Sequence, residues 1–410
     1  MESLIQMFGL KHLDRDVSHR QITLPPSHSK RHSQSVHAGT LLYSGKAVSD
    51  LFLSPDNFRK HIGIYGITGS GKTNCAYHLI QGLAKRNIPV LIIDWKRSYR
   101  TLQFIPDSPL KDIKVFTLGR KGSHSLSWNP FRGPPGIHPQ TWLSVVGEVL
   151  EKSHIAGQGV FDVFIEVFDQ IFDEYGVYEG DVAKYPNFFD AMDHIQKFKS
   201  GKGRRGLWQD SFTRIFRSFT FGPAAGAFNA RNPIKLEELL SEKIIFELDQ
   251  ELPKALRAFF SELILRFIHL VRLHQGETER LRHVIVLEEV HNLFPKSSIE
   301  KQTTNSLEIL FKEVRGFGQG LINITQNPSL IPLYIIGNSN TQFFMTLSHE
   351  DDIMAAKRAL FLQPGEEPFL DRLATGEGLV KIHSATSACH IRVPKVNLVQ
   401  RRPDAEENSD

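Results

Sequence analysis

Runs of uninterrupted apolar residues, set between segments of helical spacing, mark two parts of the chain. In the first, HIGIY (61–65) gives way to glycines, NCAYHLIQGLAKRN carries apolar residues at helical intervals, and Pro89 opens VLIID. Strand, turn, helix and strand in that order make a βαβ unit, which predicts a parallel sheet. From 243 the alternation returns. KIIFELD, HVIVLEE and GLINITQ read as strands, with helices predicted over 253–273 and 303–315. QFFMTL, GLVKIH and HIRVP read as further short strands. Apolar runs without polar alternation suit strands covered on both faces, so the predicted fold class is α/β with a mostly parallel sheet.

Between those stretches the pattern changes. A proline-rich run, NPFRGPPGIHP (129–139), precedes helical segments that begin near Trp142 and continue to about 200, followed by the basic GKGRRGLWQDSFTRIFRSF. The pattern predicts a helical insertion over 121–229 in a core made of 51–120 and 230–395. Residues 1–40 hold five of the chain's 18 histidines, a Pro25-Pro26 pair and little periodicity. The expectation for 1–50 is an N-terminal arm, either flexible and ordered by a partner or containing a short strand or oligomerisation element. The tail 396–410, ending in RRPDAEENSD, is expected to be disordered.

Length and composition exclude some classes. At 410 residues the chain suits one large α/β domain with insertions, or two domains. A net charge of +4 neither requires nor excludes nucleic acid. Two cysteines, Cys75 and Cys389, argue against a disulfide scaffold and fit a reducing cytosol, and no Cys/His spacing suits zinc. The first residues, with Glu2 and no long apolar core, do not read as a signal peptide. The most apolar helical stretch, 252–273, is broken by Lys254, Arg257, Glu262, Arg266 and Arg272 and does not read as a membrane span. A soluble cytoplasmic protein is expected.

The chemistry begins at GITGSGKT, Gly66 to Thr73, which fits G-x-x-x-x-G-K-[ST] between a predicted strand and a predicted helix. Gly66, Gly69 and Gly71 let the loop wrap with its N–H groups inward, towards phosphate oxygens that the helix end also attracts. Thr68, Ser70 and Asn74 belong to the same expected phosphate-binding stretch. Lys72 would reach the β- and γ-phosphates of ATP, and Thr73 would offer its hydroxyl to Mg²⁺. Hydrolysis needs carboxylates as well. Glu288 and Glu289 stand at the carboxyl end of HVIVLEE, the end that faces the ligand crevice in open parallel sheets. Glu288 is assigned to the metal and Glu289 to water activation; the alternative is an acid pair at a helix start. Gln326 ends the next strand, placed to contact a γ-phosphate or the attacking water, or else to serve as a turn residue before Asn327-Pro328. Arg315 lies at the opposite end of that strand. It suits a neighbouring subunit's site as an arginine finger, or a helix C-terminal cation.

Residues 202–217 concentrate charge. Lys202, Arg204, Arg205, Arg214 and Arg217 against Asp210 give +4, equal to the whole chain. Trp208, Phe212 and Phe216 are interleaved. The segment reads either as a sequence-independent contact to nucleic-acid phosphates or as a solvated helix packing Phe212, Ile215, Phe216 and Phe219 on the core. Arg214 and Arg217 also suit a neighbour's nucleotide.

In order along the chain, GITGSGKTN, IIDWKRSY, WNPFRGPPGIHPQTW, VIVLEEVHNL, EVRGFGQGLINITQNPS and LATGEGLV resemble the HerA/FtsK-type ATPases, most closely the HerA-like branch. The resemblance spans roughly 51–394. It implies a RecA-like core, a hexameric ring, and ATP-driven movement of double-stranded DNA through a central channel, with a nuclease or other effector as partner in DNA processing or anti-phage defence. It places Lys72 and Thr73 on phosphate and metal, Glu288 and Glu289 in the two acidic roles, Gln326 as sensor and Arg315 as the arginine acting in trans. Two departures stand out. Glu288 occupies a position that is usually Asp, and about 50 residues precede the core where longer relatives carry a β-barrel.

The expected function is therefore that of an ATP-hydrolysing hexameric DNA translocase or helicase. A second expectation is an ATP-binding ring scaffold that assembles and regulates an effector enzyme. A conjugative coupling or packaging motor at a membrane is disfavoured by the lack of a spanning segment, and a small-molecule kinase by the lack of an acceptor-site motif.

Overall fold

The computed structural model describes residues 33–398 except 107, 120–123, 181, 198–202, 295–305, 364, 384 and 386. In chain order, β1 (Val36–Tyr43) and β2 (Lys46–Leu53) form a hairpin, α1 (Pro55–Arg59) leads to β3 (Ile62–Tyr65), and α2 (Lys72–Ala84) leads to β4 (Val90–Asp94). The strands β5 (Lys114–Leu118) and β6 (Ser125–Leu126) follow. A helical stretch holds α3 (Pro139–His154), α4 (Gln158–Glu174), α5 (Phe188–Lys197), α6 (Arg204–Thr220), α7 (Pro223–Phe228) and α8 (Leu236–Leu239). Then come β7 (Lys243–Leu248), α9 (Lys254–His274), β8 (Thr278–Leu287), α10 (Ser306–Glu313) and β9 (Phe317–Thr325). The chain closes with α11 (Leu333–Asn338), β10 (Thr341–Phe344), α12 (Glu350–Leu360), β11 (Glu377–Ile382) and β12 (Cys389–Arg392).

The chain packs as two compact units. The first comprises residues up to Ile92, Tyr99–Ile113, and those from Thr278 onward. Its strands run in the order β2-β1-β12-β11-β10-β3-β9-β8-β4. At the centre, β10, β3, β9 and β8 pair parallel, with Ile64 opposite both Phe343 and Ile324. Every residue of β3 and β10 is buried, including the polar Thr341 and Gln342, as strands covered on both faces require. Beyond β10 the pairing turns antiparallel through β11, β12, β1 and β2. The expected α/β fold with parallel strands is present, with an antiparallel flank whose direction the short strand motifs did not reveal.

That flank changes the reading of the N-terminal segment. Residues 36–53, expected largely within an arm, are two strands of the sheet. The hairpin turns through Ser44 and Gly45, both at positive φ, the geometry of a two-residue type I′ turn. Register shifts between His37 and Gly39 and between Leu41 and Leu42 interrupt the period-2 alternation, so Val36, Ala38, Leu41 and Leu42 are all buried without alternating in sequence. Residues 1–32 lie outside the described residues.

The second unit comprises Ile93–Ser98 and Lys114–Glu277. It is larger than the expected insertion over 121–229, because β5, β6, β7 and α9 pack with the helices. Its strands β7, β5 and β6 pair parallel. The helices meet in a core of phenylalanines: Phe131 stacks on Phe168 at 4.0 Å between centroids, Phe212 on Phe216 at 3.9 Å, and Phe188 on Phe219 at 4.1 Å. The helix α9 is buried along most of its length, and its Glu262 pairs with Lys152 at 2.7 Å. Among the described residues no helix is long and apolar enough to cross a membrane.

Phe216→Ala removes a ring packed against Phe164, Phe168, Phe188 and Phe212. It is expected to destabilise the second unit by about 3–5 kcal/mol, read as loss of hydrogen-exchange protection in α4–α6. The exposed neighbour Arg217→Ala is expected to change protection by less than about 0.5 kcal/mol.

Candidate active site

The phosphate loop connects the carboxyl end of β3 to α2. Gly69 and Gly71 hold φ of +83° and +106°, a backbone region closed to most side chains. A Cβ at Gly71 would lie 2.9 Å from the backbone nitrogen of Gly376, so the loop and the late LATGEG segment can meet only through glycine. The Gly376 N–H donates to the Ser70 carbonyl at 2.9 Å, and the Ile67 N–H donates to the Thr346 carbonyl at 2.8 Å. The loop is thus held from β10 and from the turn before β11.

The start of α2 suits an anion. No side chain caps it and its first turn holds no acid, so its leading N–H groups and the positive end of its dipole have no carboxylate to neutralise them. Lys72 opens the helix and its ammonium donates to the Ile67 carbonyl at 2.7 Å, as does the Ser70 hydroxyl at 2.7 Å. A Cβ at Gly69 would meet nothing within 4 Å, so the tip of the loop has room beside it. These are donors and space of the kind that nucleotide phosphates need, with Thr73 in the first helical turn as the hydroxyl for a metal. Asn74, expected in the phosphate-binding stretch, also makes side-chain bonds to a distant segment. Its amide donates to the Pro394 carbonyl at 2.9 Å and accepts from the Val396 N–H at 2.8 Å, which ties the segment after β12 to α2. The thiol of Cys75, one residue further, is fully enclosed and pushed up to about 12 by burial, which leaves it inert as a nucleophile.

Glu288 and Glu289 follow β8 and are 2 % and 5 % exposed. Their carboxylates have different partners. Glu288 accepts from the Tyr99 hydroxyl at 2.8 Å, and the Tyr99 ring stands edge-on to Tyr77 of α2 at 5.3 Å. Glu289 sits in the left-handed region, φ +49° and ψ +49°, which costs a residue with a side chain about 1–2 kcal/mol. The twist brings its carboxylate to Gln326, whose amide donates to it at 2.6 Å. The oxygen of that amide accepts from the Thr68 hydroxyl at 2.8 Å, at the tip of the phosphate loop. His291 lies 3.2 Å from the other oxygen of Glu289 and 3.0 Å from the Thr325 hydroxyl. Thr68, Gln326 and Glu289 therefore form one hydrogen-bonded chain across the carboxyl ends of β3, β9 and β8, with the hydrogen-bonded pair His291 and Thr325 beside it.

The turn after Gln326 is built to hold that residue still. Buried Asp352 of α12 accepts from the Ser329 N–H at 2.9 Å and the Asn327 amide at 3.4 Å. Sequence reasoning found the acidic pair and Gln326 but not Tyr99, His291, Thr325 or Asp352. Tyr99 and His291 stand in the motifs IIDWKRSY and VIVLEEVHNL, in short turns just after β4 and β8, and that position was their available signal.

Arg315 lies at the other end of β9, exposed, in a short turn before the strand. The nine residues of β9 separate it from Gln326, about 30 Å at strand rise. Nearby, His61 at the amino end of β3 accepts from the Leu321 N–H at 3.2 Å and faces the Phe311 carbonyl at 3.1 Å. Burial, with the Arg315 charge adding to it, pushes His61 down to about 4, so the ring is neutral near pH 7.

The basic segment belongs to the second unit. Arg204, Arg205, Arg214 and Arg217 are exposed on α6, while Phe212, Phe216 and Phe219 are buried on its inner face, and Ile215 is half-buried. Both readings of this helix hold in part: its apolar face is core and its arginines face outward. Arg205 is engaged by Glu166 at 2.7 Å, whereas Arg214 and Arg217 border a cavity of about 600 Å³ with Phe221 and Pro253. Lys202 lies outside the described residues.

Comparisons with known proteins agree with this geometry. Residues 36–153 match the family model for the central domain of helicase HerA. The fold is similar to VirB4 of Thermoanaerobacter pseudethanolicus, with a TM-score of 0.68 and 17 % identity over 90 % of this chain and 98 % of that one. It is also similar to the conjugative coupling protein TrwB, at 0.64 and 11 % over 91 % and 92 %, and to TrwB in complex with ADP and Mg²⁺, at 0.64 and 11 % over 93 % and 99 %. No curated protein sequence matches the chain. Residues 36–153 thus carry a sequence similarity to the HerA central domain, and the chain shares its fold with VirB4 and TrwB.

Tyr99→Phe deletes the hydroxyl that donates to buried Glu288. It is expected to destabilise the first unit by about 1–3 kcal/mol, measured by urea denaturation, because a carboxylate oxygen loses a buried donor.

Proposed function

We propose that this chain hydrolyses ATP and couples hydrolysis to the movement of duplex DNA, working as a hexameric ring with a nuclease or other effector. The observation that carries the reading is the Thr68–Gln326–Glu289 chain, which links the phosphate loop to an acid placed for water activation. The ring, the cytoplasmic setting, and a part in DNA processing or phage defence extend it further, in line with the motif resemblance.

The roles follow from the side chains. The N–H groups of 66–73 and the Lys72 ammonium hold the β- and γ-phosphates. Thr73 and Glu288 would hold Mg²⁺, which when bound supplies positive charge against the phosphate oxygens. Glu289 takes a proton from a water whose oxygen then attacks the γ-phosphorus, with ADP as leaving group. Gln326 fixes the Glu289 carboxylate and senses the γ-phosphate through Thr68. Arg315, about 30 Å from its own site at strand rise, serves a neighbouring copy. Arg204, Arg205, Arg214 and Arg217 are the DNA-facing cations in this reading, making backbone contacts independent of sequence.

Lys72→Ala is expected to abolish nucleotide binding, measured with a fluorescent ATP analogue. Glu289→Gln is expected to retain binding while lowering kcat by about 10²–10⁴-fold; normal turnover in that variant refutes the role of Glu289. Duplex DNA is expected to stimulate phosphate release by the native protein, with the stimulation falling as salt rises. Slow hydrolysis that ignores DNA, together with a tightly held effector, would instead identify a ring scaffold.

A further inference from the structure

We propose that His37 and His78 form a binding site for a divalent transition-metal ion, Zn²⁺, Cu²⁺ or Ni²⁺, that ties the N-terminal hairpin to the phosphate-loop helix. His37 is on β1 and His78 on α2, and their Nδ1 and Nε2 atoms lie 3.1 Å apart. The rings meet nearly at right angles, 82° between planes and 5.2 Å between centroids. An ion at the usual metal–imidazole distance of about 2.0–2.1 Å from both nitrogens would see them at about 100°, between the square-planar and tetrahedral angles.

The surroundings favour coordination over a simple contact between rings. The other nitrogen of His37, Nε2, faces Asp50 of β2 at 3.4 Å, and the Thr40 hydroxyl donates to the same carboxylate oxygen at 2.9 Å. A carboxylate facing the far nitrogen favours the ring's proton there and leaves Nδ1 to accept from the His78 Nε2–H, a hydrogen bond that the ion replaces as it takes up both lone pairs. Phe52 packs against the His37 ring at 5.3 Å and limits its rotation. The His37 side chain is 30 % exposed, so water can complete the shell. Among the described residues no third His, Cys, Asp or Glu joins the pair, which places the site among two-histidine sites of modest affinity. The charge of Lys85 reaches His78 and opposes a cation, and Asp50 offsets it.

The test uses the full chain without nucleotide, so that it is independent of ATP hydrolysis. Cu²⁺ titration followed by electron paramagnetic resonance is expected to show one equivalent coupled to two imidazole nitrogens, and Zn²⁺ to raise the unfolding temperature. His12, His19, His28 and His32 can also take metal, so the discriminating variant is His78→Gln on the helix. It is expected to lose one equivalent and the thermal shift while melting near the native temperature without metal. His37→Asn is expected to do the same from the strand side. Asp50→Asn is expected to weaken binding by about 10- to 100-fold. Unchanged stoichiometry and affinity in both histidine variants, or a native melting temperature that Zn²⁺ does not move, overturns the proposal.

Discussion

The hydrogen-bonded chain from Thr68 through Gln326 to Glu289 is the constraint around which the first unit is arranged. Thr68 lies more than two hundred residues from the other two in sequence, yet Gln326 must lie within 2.8 Å of Thr68 and 2.6 Å of Glu289. Only parallel strands that end together can bring them there. The sheet order, with β9 between β3 and β8, provides this, and Gln326 on the middle strand bridges the two flanks. The left-handed turn at Glu289 is the local expense of closing the chain, and the Gln326 amide holds one oxygen of its carboxylate.

Around that chain the late segments act as braces. Gly376 abuts Gly71 so closely that neither strand of the contact tolerates a side chain at Gly71. Asn74 pins the residues after β12, and Asp352 pins the turn after Gln326. Within the first unit, the phosphate loop, the turn after Gln326 and the TGEG segment are therefore tied to one another by direct hydrogen bonds. Such bracing suits a site in which charge develops, because fixed dipoles need no reorganisation during reaction.

Much of this was legible in the sequence because the strongest signals are local. A glycine loop between strand and helix, and acids ending an apolar run, each report their own geometry. Gln326 was found by the same rule. Tyr99 and His291 were missed because their roles depend on partners remote in sequence, Glu288 for the one and Glu289 with Thr325 for the other. The bonds of the Asn74 amide to residues 394–396 were hidden for the same reason, since those partners are remote in sequence. The hairpin over 36–53 was foreseen only as the alternative of a short strand within the arm, because its bulges break the alternation that marks a half-buried strand. The size of the second unit escaped because strands β5 and β7 look, in sequence, like those of the first.

The most direct test of the central claim is a double-mutant cycle on kcat for ATP hydrolysis, combining Gln326→Ala with Glu289→Gln. If Gln326 acts by fixing the Glu289 carboxylate, the second substitution will add little to the first, and the two effects will fall short of additive by at least about tenfold, about 1.4 kcal/mol. Full additivity would mean that the two residues act separately and would contradict the account.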